Sequence, residues 1–346
     1  MRQETDREPD DSLPEHSEGI RVGRELLAAT KPYVEESTAR SWWLVGSTFV
    51  LMIAALTAAG LIQWWPLRVV FSVLGALLMV RAFITFHDYL HRAILQDSRI
   101  AYWLFHGFGA LMLTPTRSWL ASHNYHHGHV GQISDASVGA FPLITAQMWR
   151  ESTPWQRFTY RAQRNPLVVL LSYPVVFGLN ITLLPLLKNP RNHMDSLTAL
   201  VSHFGLIAVL WLLGGFSLVF FVVLLPITLA SAMGCYLFFA QHSFRRMLIA
   251  SPEAWTYYRG AMESSSYMRM NKVMQWFTGN IGYHHIHHLN VRIPFYRLPE
   301  VMDAIPELQS PLVTTLAPGD IVDCFRFALW DEDKQRMVSY REASPA

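Results

Sequence analysis

Apolar residues run through this chain in long uncharged blocks rather than alternating with polar ones. No Asp, Glu, Lys or Arg occurs between Arg40 and Arg68. A helix crossing the hydrocarbon needs about 20 apolar residues, and Ser41–Ile62 supplies one. "QWWP" (63–66) turns the chain, and Pro66–Phe86 returns it. Trp42, Trp43, Trp64 and Trp65 fall at the two ends of the first span, where interfacial aromatics belong. Arg81 lies near the end of the second span, close enough to snorkel into the headgroups. A second uncharged block, Ser196–Phe244, is long enough for two crossings, with Gly214–Gly215 as the turn. Two further apolar stretches are less regular. "IAYWLFHGFGALML" (100–113) is short for a span, and 165–187 is interrupted by Pro174, Gly178 and Pro185. Both are read as interfacial or re-entrant.

Composition and charge place these blocks in a membrane. Charged residues make up 16% of the chain, against about 25% in a soluble domain. Residues 88–164 carry seven arginines and 243–297 carry seven lysines or arginines, while the two hairpin turns hold only Arg68. The positive-inside rule then puts both termini and the long middle segment in the cytosol. The expected fold is an all-α integral membrane protein. It has about four transmembrane helices in two hairpins, interfacial helices and a cytosolic histidine-rich cap. Residues 1–36 read as a polar tail without a visible cleavable signal, 37–310 as the membrane domain with its cap, and 311–346 as a C-terminal cytosolic segment. Cys235 and Cys324 are too few for a disulfide framework, which suits a reducing compartment. Nucleic acid is not an expected partner; the net charge of +2 by itself says little, because the charges are segregated along the chain.

The fifteen histidines change this picture from an anonymous membrane protein to a candidate metal enzyme. "HDYLH" sets His87 and His91 at i, i+4. "HNYHH" sets His123, His126 and His127 at i, i+3, i+4, and "HHIHH" repeats that spacing with His284, His287 and His288. At about 100° per residue each set shares one helical face. His242, where the last uncharged block ends, is a ninth candidate. All lie at or beyond the predicted cytosolic ends of the spans, so the topology lets them converge. Neutral imidazole ligates Fe, Zn, Cu and Ni, but a zinc enzyme uses about three protein ligands. Eight or nine suit two octahedral ions with positions open for oxygen. No Glu-x-x-His occurs, which excludes the carboxylate-bridged site of soluble bundles. An all-imidazole di-iron centre fits best.

Other residues are weighed against bland roles. Asp88, Asn124, Asn280 and Asn290 flank the boxes and could orient imidazoles through their second ring nitrogen. Capping or turn chemistry accounts equally well for Asn280 and Asn290. His285 falls outside the narrowest arc of its set and is assigned a supporting place. His129 is open between support and loop. His106, His193 and His203 read as satisfied polar residues, and His16 as part of the tail.

At the boxes the chain resembles the membrane fatty-acyl desaturases, whose signature is HxxxH, HxxHH and HxxHH, and it is most similar to their bacterial acyl-lipid branch. The likeness extends to Gln241–His242, Trp255, Ser264–Ser266, "TGNIGYHHIHHL", "IPFYRL" (293–298) and "LWDE" (329–332). It implies two ferrous ions held by His87, His91, His123, His126, His127, His242, His284, His287 and His288, with O2 as co-substrate. It also implies a lipid-linked long acyl chain threaded past the metals and desaturated. His at 284 in place of Gln, and the lack of an HPGG-type motif, separate the chain from front-end enzymes with a fused cytochrome b5. Electrons then come from an external ferredoxin or cytochrome b5-like donor. Arg245, Arg246, Arg259, Arg269 and Lys272 could dock such a donor or, on positive-inside grounds, bind anionic lipid. A hydroxylase or acetylenase on the same scaffold is the alternative. A transporter would place ligands and acids at the bilayer midplane, and the spans hold no Asp or Glu.

Overall fold

Helices dominate the computed structural model, which describes residues 21–133 and 141–344. His16 and the tail to residue 20 lie outside the described residues. Three helices are long and apolar enough to cross a membrane: Thr38–Leu61, Trp65–Leu90 and Met194–Ala240. The first begins at Ser37, whose side chain caps the N–H of Arg40, and Pro66 starts the second. Pro at a helix start sacrifices no hydrogen bond. The third is broken at Gly214 and Gly215, where the backbone leaves helical geometry and Gly215 takes φ 65°. Only glycine enters that region without steric cost.

Arg68 ties this break to the first turn. Its guanidinium donates to the Ala59 carbonyl at 2.8 Å and to Ser217 Oγ at 2.7 Å. Ser72 Oγ donates to the Phe221 carbonyl at 2.6 Å. The QWWP turn and the double-glycine break therefore lie side by side. The 100–113 stretch is a helix at Arg99–Leu111 packed on the Met194 helix. The 165–187 stretch splits near its prolines into Pro166–Leu170, a wider-wound helix over Tyr173–Leu183 that contains Gly178, and Leu184–Lys188.

Two expectations need correction. Arg81 does not snorkel: it is 3% exposed, and its Nε donates to Thr48 Oγ1 at 3.0 Å. It also donates to the Trp276 carbonyl and lies 4.2 Å over the Trp276 ring. The Lys272–Phe277 helix covers it, and protein acceptors replace the headgroup. Nor is the chain purely α. Phe327–Asp331 pairs antiparallel with Arg336–Ser339 and parallel with Ile144–Thr145, while Tyr267–Arg269 pairs parallel with Val313–Thr315. These short runs beside polar turns satisfy their backbone across the cap rather than by helical winding.

Candidate metal centre

Each histidine box sits on a short or terminal piece of helix whose ring-bearing face is buried. His87 lies in the last turn of Trp65–Leu90, and His91 caps that helix. The Thr116–His129 helix buries Ser118, Trp119, His123, His126 and His127. The His284–Leu289 helix has all six residues buried. The turn before it explains the "TGNIG" sequence. Gly279 and Asn280 both take positive φ, 53° and 56°, and a Cβ on Gly279 would meet Ile84 Cγ2 at 2.8 Å. That turn brings the third box back against the first.

Nine imidazoles converge in two groups. His87, His91, His123, His127 and His287 form one; His126, His242, His284 and His288 form the other, with the ligand atoms of each group all within 4.8 Å of one another. The partition follows from helical phase. On an ideal helix i and i+4 stand about 40° apart, whereas i+3 stands about 100° from i+4. His123 and His127 therefore stay together while His126 turns to the other group. His284 and His288 stay together while His287 crosses in the opposite sense. The two HxxHH helices thus exchange one ring each.

The contacts have the spacing that a shared cation requires. In the first group, Nε2 separations are 3.1 Å (His91–His123), 3.0 Å (His123–His127) and 3.3 Å (His127–His287). In the second they are 3.1 Å (His126–His242), 2.8 Å (His242–His284) and 3.1 Å (His284–His288). Two nitrogens bound cis to one ion at about 2.1 Å stand about 3.0 Å apart. Hydrogen bonding cannot account for the set. His123 Nε2 meets two other Nε2 atoms, and one proton or one lone pair serves a single partner. His242 Nδ1–H donates to the Ser264 carbonyl at 3.0 Å, so its Nε2 presents a lone pair to both neighbours. Burial drives His123, His126, His127, His284, His287 and His288 well below the usual histidine range, and neighbouring imidazoles push further in the same direction. Burial also takes His242 down to about 4. The rings are neutral at ordinary pH, which is the ligating form.

The flanking candidates separate clearly. Asp88 lies 3.1 Å from His87 Nδ1 through one oxygen, and its other oxygen accepts the Phe295 N–H at 2.6 Å. Asn280 touches no ligand ring but donates to the Phe295 carbonyl at 3.1 Å, bracing the residue that holds Asp88. Asn290 donates to Thr30 Oγ1 at 2.8 Å, and His285 faces the Leu308 carbonyl at 3.3 Å. Asn124 is exposed, and His129 bonds the Tyr125 carbonyl and stacks on that ring. Neighbourhood in sequence did not say which way these side chains turn. His106, His193 and His203 are satisfied by Tyr102, Ser118, and Leu111 with Tyr173. Sequence reasoning missed Trp119, which stacks on His123 at 4.4 Å; its i, i+4 relation to that histidine was the available signal.

An open-sided cavity of about 870 Å³ reaches this centre. Its wall includes Val80, Phe83, Ile84, Phe177 and Leu237, and also His87, His123 and His284, so apolar space abuts both imidazole groups. Two ion-sized donor sets beside one largely apolar channel can bring an alkyl chain up to a metal centre.

The model of the fatty acid desaturase family matches residues 62–315, most of the chain. The chain belongs to the fatty acid desaturase family. A fatty acid desaturase of Bacillus subtilis (strain 168) is 30% identical over 279 residues, covering 80% of this chain and 78% of that protein. A probable fatty acid desaturase of Sorghum bicolor is 27% identical, covering 82% and 75%. An sn-1 acyl-lipid omega-3 desaturase (ferredoxin) of Nostoc sp. (strain 36) is 24% identical, covering 74% and 72%. Family membership makes this desaturase an oxidoreductase, and the two histidine groups are where it could hold metal.

Proposed function

We propose that this desaturase is an integral membrane, di-iron enzyme that uses O2 to place a double bond in a long, lipid-linked acyl chain. The observation that carries the reading is the set of nine imidazoles in groups of five and four opening on an apolar cavity. The donor set fits iron: all-nitrogen, neutral and numerous enough for two octahedral ions. Bound iron would supply the oxidising power that an unactivated C–H bond demands.

The chain's own residues do the rest. Val80, Phe83, Ile84 and Phe177 line a dry path for methylenes. Asp88 turns the His87 ring by holding its Nδ1, which leaves Nε2 for the ion. Ser264 does the same for His242 through its carbonyl. Overall, two hydrogens leave adjacent carbons, and with O2, two electrons and two protons yield two waters.

The electrons come from a ferredoxin or cytochrome b5-like donor; the Nostoc relative is named for ferredoxin. Arg245, Arg246, Arg269 and Lys272 are exposed on the cap and suit an acidic donor, whereas Arg259 is engaged by Glu263 at 2.9 Å. The third apolar helix crosses twice, about Gly214–Gly215, giving four crossings with the boxes and both termini in the cytosol.

Gas chromatography–mass spectrometry of lipids from a host expressing the chain tests the reaction. A new double bond in glycerolipid acyl chains is expected. A hydroxylated chain, or unchanged lipid alongside abundant membrane-inserted protein, would overturn it.

A further inference from the structure

The Pro154–Gln163 helix is turned the wrong way round for a surface washed by water. At about 100° per residue, Trp155, Phe158 and Ala162 share one face, and Arg157, Tyr160 and the capping Arg164 share the opposite one. The face with the arginines is the one packed against the protein. Arg157 Nε donates to the Trp149 carbonyl at 3.0 Å, the Tyr160 hydroxyl to the Ala328 carbonyl at 2.5 Å, and an Arg164 amino group to the Pro142 carbonyl at 2.8 Å. The apolar face is bare. Trp155 is 70% and Phe158 60% exposed, and their rings stack on each other at 5.4 Å.

What covers that face follows from its neighbours. The Pro166–Leu170 helix comes next and packs on the Leu225–Ala240 helix, the last part of the longest apolar segment. Leu167, Leu170 and Leu171 are exposed on it and just beyond it, so the aromatic face runs on into the surface of a candidate membrane span. Trp and Phe on the apolar side of an amphipathic helix suit the boundary between headgroups and acyl chains. Ala162 and Gln163 are exposed and also belong to the cavity wall, whereas His87 and His284 of the same wall are buried. The helix thus stands at the open rim of the cavity and the metal centre at its buried end. We propose that the Trp155–Phe158–Ala162 face is seated in the cytosolic leaflet, and that the acyl chain of a bilayer lipid slides past it sideways into the cavity. A chain that passes from leaflet to cavity this way never exposes its methylenes to water.

This rests on the membrane, acyl-lipid reading, and the test keeps the two apart. Full-length, iron-loaded protein is reconstituted in vesicles of phosphatidylglycerol and phosphatidylethanolamine. Cys235 and Cys324 are buried, so a nitroxide attached through Phe158→Cys reports that position, with wild type treated alike as the background. Power-saturation electron paramagnetic resonance should show the label relaxed far more by oxygen, which concentrates in the bilayer, than by a water-soluble nickel chelate. Trp155→Cys should report the same. Equal access to both reagents would overturn the proposal, as would shielding from both, the mark of a protein partner or a second copy on the face. Phe158→Glu should slow desaturation of the vesicle lipids about tenfold at wild-type iron content, and Phe158→Trp should keep the rate. Should Phe158→Glu fail to insert, Phe158→Ser takes its place. A wild-type rate in the polar variant would overturn sideways entry. Wild-type protein that forms no double bond would overturn the acyl-lipid reading instead, and label depth would still decide where the face is seated.

Discussion

The membrane helices and the histidine cap are built inside out relative to each other. In Met194–Ala240 only 11% of the most apolar window is buried, and Trp211, Leu212 and Leu213 stand exposed. In His284–Leu289 every residue is buried, four of them histidines. Soluble proteins do not expose apolar surface on the first scale or hide polar rings on the second without partners. On the proposed reading, lipid would cover the one and a cation would complete the other. The long helices can therefore vary so long as they stay greasy, whereas the cap depends on particular atoms.

Single-ring deletions test that dependence most severely. His126→Ala and His287→Ala each remove one donor from a different group and should abolish desaturation, with membrane insertion unchanged. His285→Ala is the matched control: equally buried, on the same helix, but facing Leu308. It should keep its metal and most activity, as read by iron content and lipid product together. Full activity in His126→Ala, or metal loss in His285→Ala to the level of His287→Ala, would remove the distinction between ligand and bystander.

Acid is the next lever. Burial holds His242 and His285 at about 4 in the folded chain, against about 6.5 when unfolded. Above pH 6.5 both states are neutral and the shift contributes nothing. Between about 6.5 and 4 the unfolded chain binds the extra proton, so stability falls as pH falls, by up to about 1.4 kcal/mol per pH unit for each such ring. Metal-free cap should therefore unfold on mild acidification while the membrane helices keep their helicity. Circular dichroism and tryptophan fluorescence in detergent check this. A cap as stable at pH 5 as at pH 7.5 would contradict the neutral, buried rings.

The same contrast decides what was legible in the sequence. The uncharged blocks and the i, i+3, i+4 histidines are periodic signals, and the structure places them as helices and as converging rings. The split of each HxxHH box between two groups was equally encoded in phase, yet invisible until both helices could be set against each other. Arg81 misled because snorkelling and burial look alike without the Lys272–Phe277 helix. Within residues 1–36, the expected polar tail, the described part from Arg21 to Glu36 has few anchors. Leu26 and Thr30 are buried in a run otherwise rich in charge.

That segment sets up the mildest test. Leu26 packs in one apolar cluster with Ile286 and Leu289 of the third-box helix and with Ile293, Leu298 and Val301. Thr30 meets Asn290 at the end of that helix, Arg21 pairs with Glu307, and the Glu36 carboxylate accepts the Leu95 N–H at 2.9 Å just past the first box. A strap of apparent tail thus braces the first and third boxes from outside the metal centre. Truncating a buried leucine to alanine costs about 2–5 kcal/mol, more where the site cannot collapse. Leu26→Ala should lower thermal stability by that order and speed iron loss to a chelator, while activity measured promptly on fully loaded protein stays near wild type. Glu36→Gln keeps an oxygen to accept the Leu95 N–H and removes only the charge assistance, worth about 1 kcal/mol, and should loosen the centre less. If Leu26→Ala left iron retention untouched, the strap would be mere covering, and the cap's sensitivity would end at its ligands.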